Sequence, residues 1–152
     1  MKRDTKILLA ALAPIPVLIL SFSALASYAM ANGASPKIRW LFRIFCHGMA
    51  ERSLLLFDVA MPICARCTGI YIGLLAGFVA FLAVPWVTER FMRVVAFAAV
   101  TPLAIDGLTQ LARLRTSTNP LRMTTGLIAG LAFGLWILSA VQRGRDSSLS
   151  SP

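Results

Sequence analysis

The sequence is poor in charged side chains, and poorest in acidic ones. Only 14% of its residues are charged, with 6 aspartates and glutamates against 15 lysines and arginines. A soluble domain carries about a quarter charged residues and is less apolar overall, whereas 58% of this chain is hydrophobic. This composition excludes an ordinary soluble domain and predicts one compact integral membrane domain.

Acidic residues are too few to balance the basic ones, and the formal net charge is +9. The basic residues lie between hydrophobic runs, where they suit lipid headgroups better than a nucleic acid. We therefore expect membrane lipids as partners and no nucleic acid. An anionic lipid-linked substrate remains open as a further partner.

Cysteine and histidine are also scarce, with three cysteines and one histidine in 152 residues. Three cysteines in one chain form at most one disulfide, or they serve a metal or redox role. All four residues lie in the stretch from Phe45 to Gly77. Polar groups are costly in an apolar chain unless they are paired, so their concentration here predicts a site.

Long apolar runs are abundant, and each is about as long as the roughly 20 residues that cross a bilayer. They predict an all-α integral membrane bundle of about four transmembrane helices. The helices are expected at residues 7–30, 64–84, 94–111 and 120–141. A basic amphipathic pattern over residues 37–57 predicts a further helix at the membrane interface. Residues 1–142 thus form a single membrane domain, and the polar segment 143–152 is expected to be disordered.

The first run has a second interpretation as a signal peptide, because the small residues from Ala26 to Ala31 resemble a cleavage region. The run is longer than the roughly 7–15 residues of a signal-peptide core, which favours a retained helix. We expect a multi-pass protein of the cell (plasma or inner) membrane. Its basic start favours an N-terminus on the inner side.

Two of the predicted helices carry glycine ladders at helical spacing. Gly69, Gly73 and Gly77 follow Thr68, and the same pattern recurs after Thr125. Small residues on one face let membrane helices approach closely. A weak duplication is the alternative, with two parallel helices presenting their positively polarised N-termini to one site.

The residues Cys46, His47, Cys64 and Cys67 have the right types and number for a tetrahedral zinc site. Because neighbouring side chains diverge, the Cys46-His47 pair supplies one or two of the ligands. The motif is not that of c-type haem, since Thr68 follows Cys67. Two alternatives stay open, a thiol-disulfide redox pair activated by the nearby helix N-terminus, and a structural pair without chemistry.

A second group of polar residues lies at the end of the third predicted helix and the start of the fourth. Asp106 is an ionisable residue within a membrane helix, where such residues often mark function. Arginine forks nearby suit phosphate or carboxylate. The alternatives are an ion pair of Asp106 with Arg66 or Arg113, and arginines that extend to lipid headgroups. The catalytic or substrate-binding candidates are Asp106, Gln110, Arg115, Asn119 and Arg122.

These residues together resemble a family of small prokaryotic membrane proteins known only as a domain of unknown function. The resemblance rests on Cys46-His47, on Pro62 to Gly73 as Pro-x-Cys-x-Arg-Cys-x-Gly-Ile-Tyr-x-Gly, and on the later Asp106-Gly107 and Thr125-Gly126. It covers roughly residues 43–134, and Gly48 replaces a glutamine that is frequent there. It implies no activity. The run from Asp106 onward is also faintly similar to VanZ-like membrane proteins.

Three functions follow from these residues. The first is binding of a zinc-like metal, either structural or catalytic with Asp106 or Glu51 as the base. The second is an enzyme or binder acting on an anionic lipid, and the third is a membrane thiol oxidoreductase. Whether the protein is an enzyme stays open at this stage.

Overall fold

The computed structural model describes residues 3–83, 88–112 and 116–149. It contains five α-helices and one two-stranded sheet among these residues. Four helical segments are long and apolar enough to cross a membrane, so the predicted helical membrane bundle is confirmed. These segments are Ile7–Ala31, Ala65–Ala83, Glu89–Gln110 and Asn119–Gly144.

The N-terminal span consists of two helices, α1 (Arg3–Leu12) and α2 (Pro14–Ala31). The break falls at Ala13, because Pro14 lacks an N–H donor and suits the first turn of a new helix. Ser23, Ala26 and Ser27 of α2 are buried. Ala26 belongs to the same apolar cluster as Phe42 and Cys46, so α2 contributes to the packing around the cysteines.

The other three spans are α3 (Ala65–Ala83), α4 (Glu89–Leu111) and α5 (Asn119–Leu149). Polar contacts join the start of α3 and the start of α5 to the last turns of α4. Helices α3 and α5 therefore begin at the same membrane face and run parallel. This parallel orientation is the one that the duplication alternative requires.

The glycine ladders bring α3 and α5 into backbone contact, as the sequence predicted. A Cβ atom added to Gly73 would lie 2.2 Å from the Leu127 carbonyl oxygen, and one added to Gly130 would lie 2.2 Å from that of Ile70. The contact is reciprocal, with each ladder facing the carbonyls of the other helix. A side chain at these glycines would collide with the facing backbone, so the small residues are what allow the two helices to approach so closely.

The segment from residue 36 to residue 64 differs from the prediction. Instead of one amphipathic α-helix it contains a long 3₁₀ helix (Pro36–Ile44), a 3₁₀ turn (Ala50–Arg52) and the strands β1 (Ser53–Leu56) and β2 (Val59–Cys64). The strands pair antiparallel.

The tight turn of this hairpin lacks the residues that usually mark such a turn in a sequence. Phe57 and Asp58 both have positive φ, at 56° and 59°, as the two central residues of a type I′ turn require. Such turns usually carry Asn-Gly or Asp-Gly, which this chain lacks here. The Phe57 ring packs edge-on against Tyr28 with centroids 5.6 Å apart, and this contact offsets part of the strain.

Two helix boundaries also lie outside the predicted ranges. Helix α4 begins at Glu89 rather than near residue 94, and α5 continues to Leu149 rather than ending near 141. Glu89 accepts a hydrogen bond from Arg143 at 2.8 Å, which ties these two polar ends together. Because extending a helix is inexpensive once it is nucleated, part of the segment expected to be disordered is helical.

Candidate functional site

The three cysteines come from three different elements. Cys46 follows the long 3₁₀ helix, Cys64 ends β2, and Cys67 lies in the first turn of α3. Their sulfur atoms all lie within 4.8 Å of one another, and all three thiols are free. The structure thus brings Cys46, which is 18 residues before Cys64 in the sequence, next to the Cys64–Cys67 pair.

The Cys46 sulfur accepts hydrogen bonds from its neighbours. The Cys64 backbone N–H donates to Cys46 Sγ at 3.2 Å. Hydrogen bonds from the Cys64 and Cys67 thiols hold the pKa of Cys46 far below its usual value, with further support from the backbone at Gly48. Because a thiolate and not a thiol binds metal, these hydrogen bonds favour the metal-binding form of Cys46.

His47 does not join the three sulfur atoms. Its side chain is exposed and its ring nitrogens fall outside the cluster, since adjacent side chains point in different directions. It does line the same cavity as the cysteines. Of the four predicted ligands, the structure therefore brings three together and leaves the histidine at the rim.

A half-buried arginine fixes the loop that carries Cys46. The Arg39 guanidinium donates to the carbonyl oxygens of Gly48 at 3.2 Å, Ala60 at 3.1 Å and Met61 at 3.0 Å. These three bonds join the cysteine loop to β2. The amphipathic pattern over residues 37–57 includes Arg39, but no local motif distinguishes it from its neighbour Arg43.

The second predicted group forms a hydrogen-bonded network across α3, α4 and α5. Asp106, 5% exposed, forms an ion pair with Arg66, one of the two partners that we anticipated. Gln110 Nε2 donates to Asp106 Oδ2 at 2.7 Å, and its Oε1 accepts from Arg122 at 2.9 Å. A single glutamine side chain thus connects the carboxylate to a second arginine.

The network continues from α5 to the hairpin. Arg122 is only 7% exposed and donates to Asn119 Oδ1 at 3.1 Å. Asn119 in turn donates to the Ser53 carbonyl oxygen at 3.1 Å. Four of the five predicted residues therefore belong to one network, and Arg115 lies outside the described residues.

One cavity of about 430 Å³ connects the two groups. The cysteines line one part of it, and three arginines with Gln110 line another. Arg52 and Arg66 are not among the predicted site residues, although both lie in the central stretch, and the structure adds them to the lining. The lining residues are Phe45, Cys46, His47, Gly48, Met49, Arg52, Cys64, Arg66, Cys67, Gln110 and Arg122.

The two carboxylates considered as bases are not placed for that role. Glu51 is exposed and is not among the described residues that line the cavity. Asp106 lies behind the lining and is engaged by Arg66 and Gln110. The contact with Arg66 fits the ion-pair interpretation of this residue.

Comparison with known proteins places this cavity within a matched region. Residues 46–136 match a family model described as "Predicted membrane protein (DUF2085)". An uncharacterized protein of Methanocaldococcus jannaschii is 38% identical over 100 residues, covering 64% of this chain and 64% of that protein. An uncharacterized protein of Methanothermobacter thermautotrophicus is 40% identical over 100 residues, covering 66% of this chain and 88% of that protein.

This chain thus covers less than two thirds of the length of the Methanocaldococcus jannaschii relative. No solved structure matches it. The matched residues begin at Cys46 and extend beyond Arg122, and so include the whole of both polar groups. They comprise more than half of the chain, and the protein belongs to the DUF2085 family of membrane proteins.

Proposed function

We propose that the protein binds a thiolate-preferring metal ion, with Zn²⁺ the best fit, through Cys46, Cys64 and Cys67. The observation that supports this is the convergence of the three sulfur atoms to within 4.8 Å. In a tetrahedral zinc site with Zn–S bonds of about 2.3 Å, neighbouring sulfurs are about 3.8 Å apart. A small inward movement of the three side chains reaches that spacing.

The chemistry of the donors also supports this proposal. Soft thiolates select Zn²⁺, Cu⁺ or iron–sulfur clusters over Mg²⁺ and Ca²⁺. A single tetrahedral ion with three cysteine ligands keeps one position for a fourth donor. His47 at the rim of the cavity, or a water molecule inside it, would fill that position.

A bound ion would act first on the fold around the cysteines. Cys46 belongs to the loop after the 3₁₀ helix, while Cys64 and Cys67 lie at the junction of β2 and α3. Metal binding to such a set adds directly to the free energy of folding. The ion would therefore fasten the 3₁₀ helix and its loop to the start of α3.

The metal content of the detergent-purified protein tests this proposal. We expect about one metal ion per chain, identified by elemental mass spectrometry, and its loss in the Cys67→Ser variant. Met49→Leu, at another residue lining the cavity, is the control and should keep the metal. Full metal content in Cys67→Ser would contradict the proposal.

The same preparation separates the alternatives. Loss of metal in His47→Ala would identify the histidine as the fourth ligand, and an unchanged content would leave that position to water. A protein without metal, whose thiols titrate as oxidised, would replace the metal proposal by the thiol-disulfide function.

A further inference from the structure

The arginine side of the cavity, together with an apolar groove beside it, has the form of a site for an amphiphile. We propose that this site binds one anionic membrane lipid, with its phosphate headgroup among Arg52, Arg66 and Arg122 and a hydrocarbon chain in the groove. The proposal concerns residues other than the thiols and does not depend on the metal.

The charges around the cavity favour an anion. Three arginines line it, and the described lining includes no aspartate or glutamate. Arg52 and Arg66 are close enough to Arg122 to repel it electrostatically. Asp106 compensates one of the three positive charges. A divalent ion bound by three thiolates has a net charge of −1 and would compensate a second. One positive charge then remains in a cavity bounded by membrane helices.

The most buried of these arginines lacks part of its hydrogen bonding. Arg122 is 7% exposed, and its Nε is buried without an acceptor among the described residues. The Arg66 Nε is in the same situation. A buried donor without an acceptor is destabilising, and guanidinium groups bind phosphate oxygens through paired N–H donors. A phosphate in the cavity would supply the acceptors and the charge together.

The groove lies between α2 and the long 3₁₀ helix. Its volume is about 480 Å³ and all the residues that line it are apolar, including Phe22, Leu25 and Ile38. Phe45 lines both the groove and the polar cavity. The apolar groove therefore adjoins the basic side of the cavity, and a lipid with an anionic headgroup complements both.

Lipid binding to the purified full-length protein tests the proposal, measured by titration in mixed detergent micelles. We expect phosphatidic acid with long acyl chains to bind about tenfold or more tightly than phosphatidylcholine with the same chains. Glycerol phosphate, which has the headgroup chemistry without the chains, should bind much more weakly than phosphatidic acid. Equal affinity for the two long-chain lipids would overturn the proposal.

Two pairs of variants locate the lipid. Arg52→Gln should weaken phosphatidic acid binding about tenfold, whereas Arg90→Gln, at the exposed start of α4, should leave it unchanged. Ala29→Trp fills the groove and should weaken binding of the long-chain lipid but not of glycerol phosphate. Its control is Ala98→Trp on an exposed face of α4.

Each remaining outcome has a definite meaning. If glycerol phosphate bound as tightly as phosphatidic acid, the groove would not bind a lipid chain, and the cavity would be a site for free phosphate only. Unchanged lipid binding in both Arg52→Gln and Ala29→Trp would overturn the whole site. Metal content measured on the same samples keeps a failure of this proposal distinct from a failure of the metal proposal.

Discussion

Single side chains hold each of the two polar groups of this protein together. Gln110 uses both ends of its amide, donating to Asp106 and accepting from Arg122. Arg39 uses its guanidinium on three backbone carbonyls. Gln110 lies one turn after Asp106 on α4, whereas Arg39 contacts carbonyls of β2 that are more than 20 residues away in sequence. The site types were therefore predictable from residue identity, while the contacts of Arg39 were not.

Arg39→Ala should destabilise the protein and impair the cysteine cluster. The variant loses three charge-assisted hydrogen bonds, of which each typically contributes about 1.5–3 kcal/mol. Because Arg39 is only half-buried, water replaces part of this contribution, and a loss on the order of 3 kcal/mol is expected. Arg43→Ala is the matched control, because Arg43 is exposed and its guanidinium only stacks on Trp40, 4.7 Å from the ring centroid. That contact is worth about 0.5–1 kcal/mol.

Thermal unfolding of the two variants, with their metal content, measures the difference. Arg39→Ala should unfold at a clearly lower temperature and retain less metal than Arg43→Ala. Equal unfolding temperatures and equal metal content would show that Arg39 does not position the Cys46 loop.

At the scale of elements, the helices were predictable and the segment between the first and second spans was not. Apolar length and composition indicate a membrane helix without reference to the rest of the chain. The hairpin of β1 and β2 depends instead on two residues with positive φ and on the packing of Phe57 against Tyr28. Its amphipathic sequence suits more than one local structure, and tertiary contacts select the strands.

The α3–α5 pair gives a prediction in which two glycines of one helix respond with opposite signs. A Cβ at Gly130 would lie 2.2 Å from the Ile70 carbonyl oxygen, so Gly130→Ala must push the helices apart. Overpacking of this kind costs about 1–3 kcal/mol. At Gly144 nothing lies within 4 Å of the added atom, and alanine there should stabilise the helix by roughly 0.5–1 kcal/mol.

Unfolding in a detergent or denaturant series measures both substitutions. The Gly130→Ala protein should unfold earlier than the wild type, and the Gly144→Ala protein at the same point or later. If both variants behaved like the wild type, the backbone contact between α3 and α5 would not contribute to stability.

At the scale of the whole molecule, the polar site depends on helices from both ends of the chain. Helices α3, α4 and α5 hold the arginine network, while α2 packs on the 3₁₀ helix and β2 through Ala26. Four spans bring the cysteines and the Asp106 group to the same membrane face, so the sequence predicts the two groups near one another. The lining of their shared cavity, which includes Arg52 and Arg66, depends on tertiary contacts that the sequence does not show.

The position of α2 predicts that the N-terminal span is retained in the mature protein. Cleavage among the small residues from Ala26 to Ala31 would remove Ser23 and Ala26 from the core and open the apolar cluster that includes Cys46. Exposure of that cluster would weaken the packing that holds the 3₁₀ helix beside the cavity. We therefore expect the intact mass of the protein purified from membranes to include residues 7–31. A mass that begins after residue 31 would contradict this, and would also remove one wall of the groove that we assign to the lipid chain.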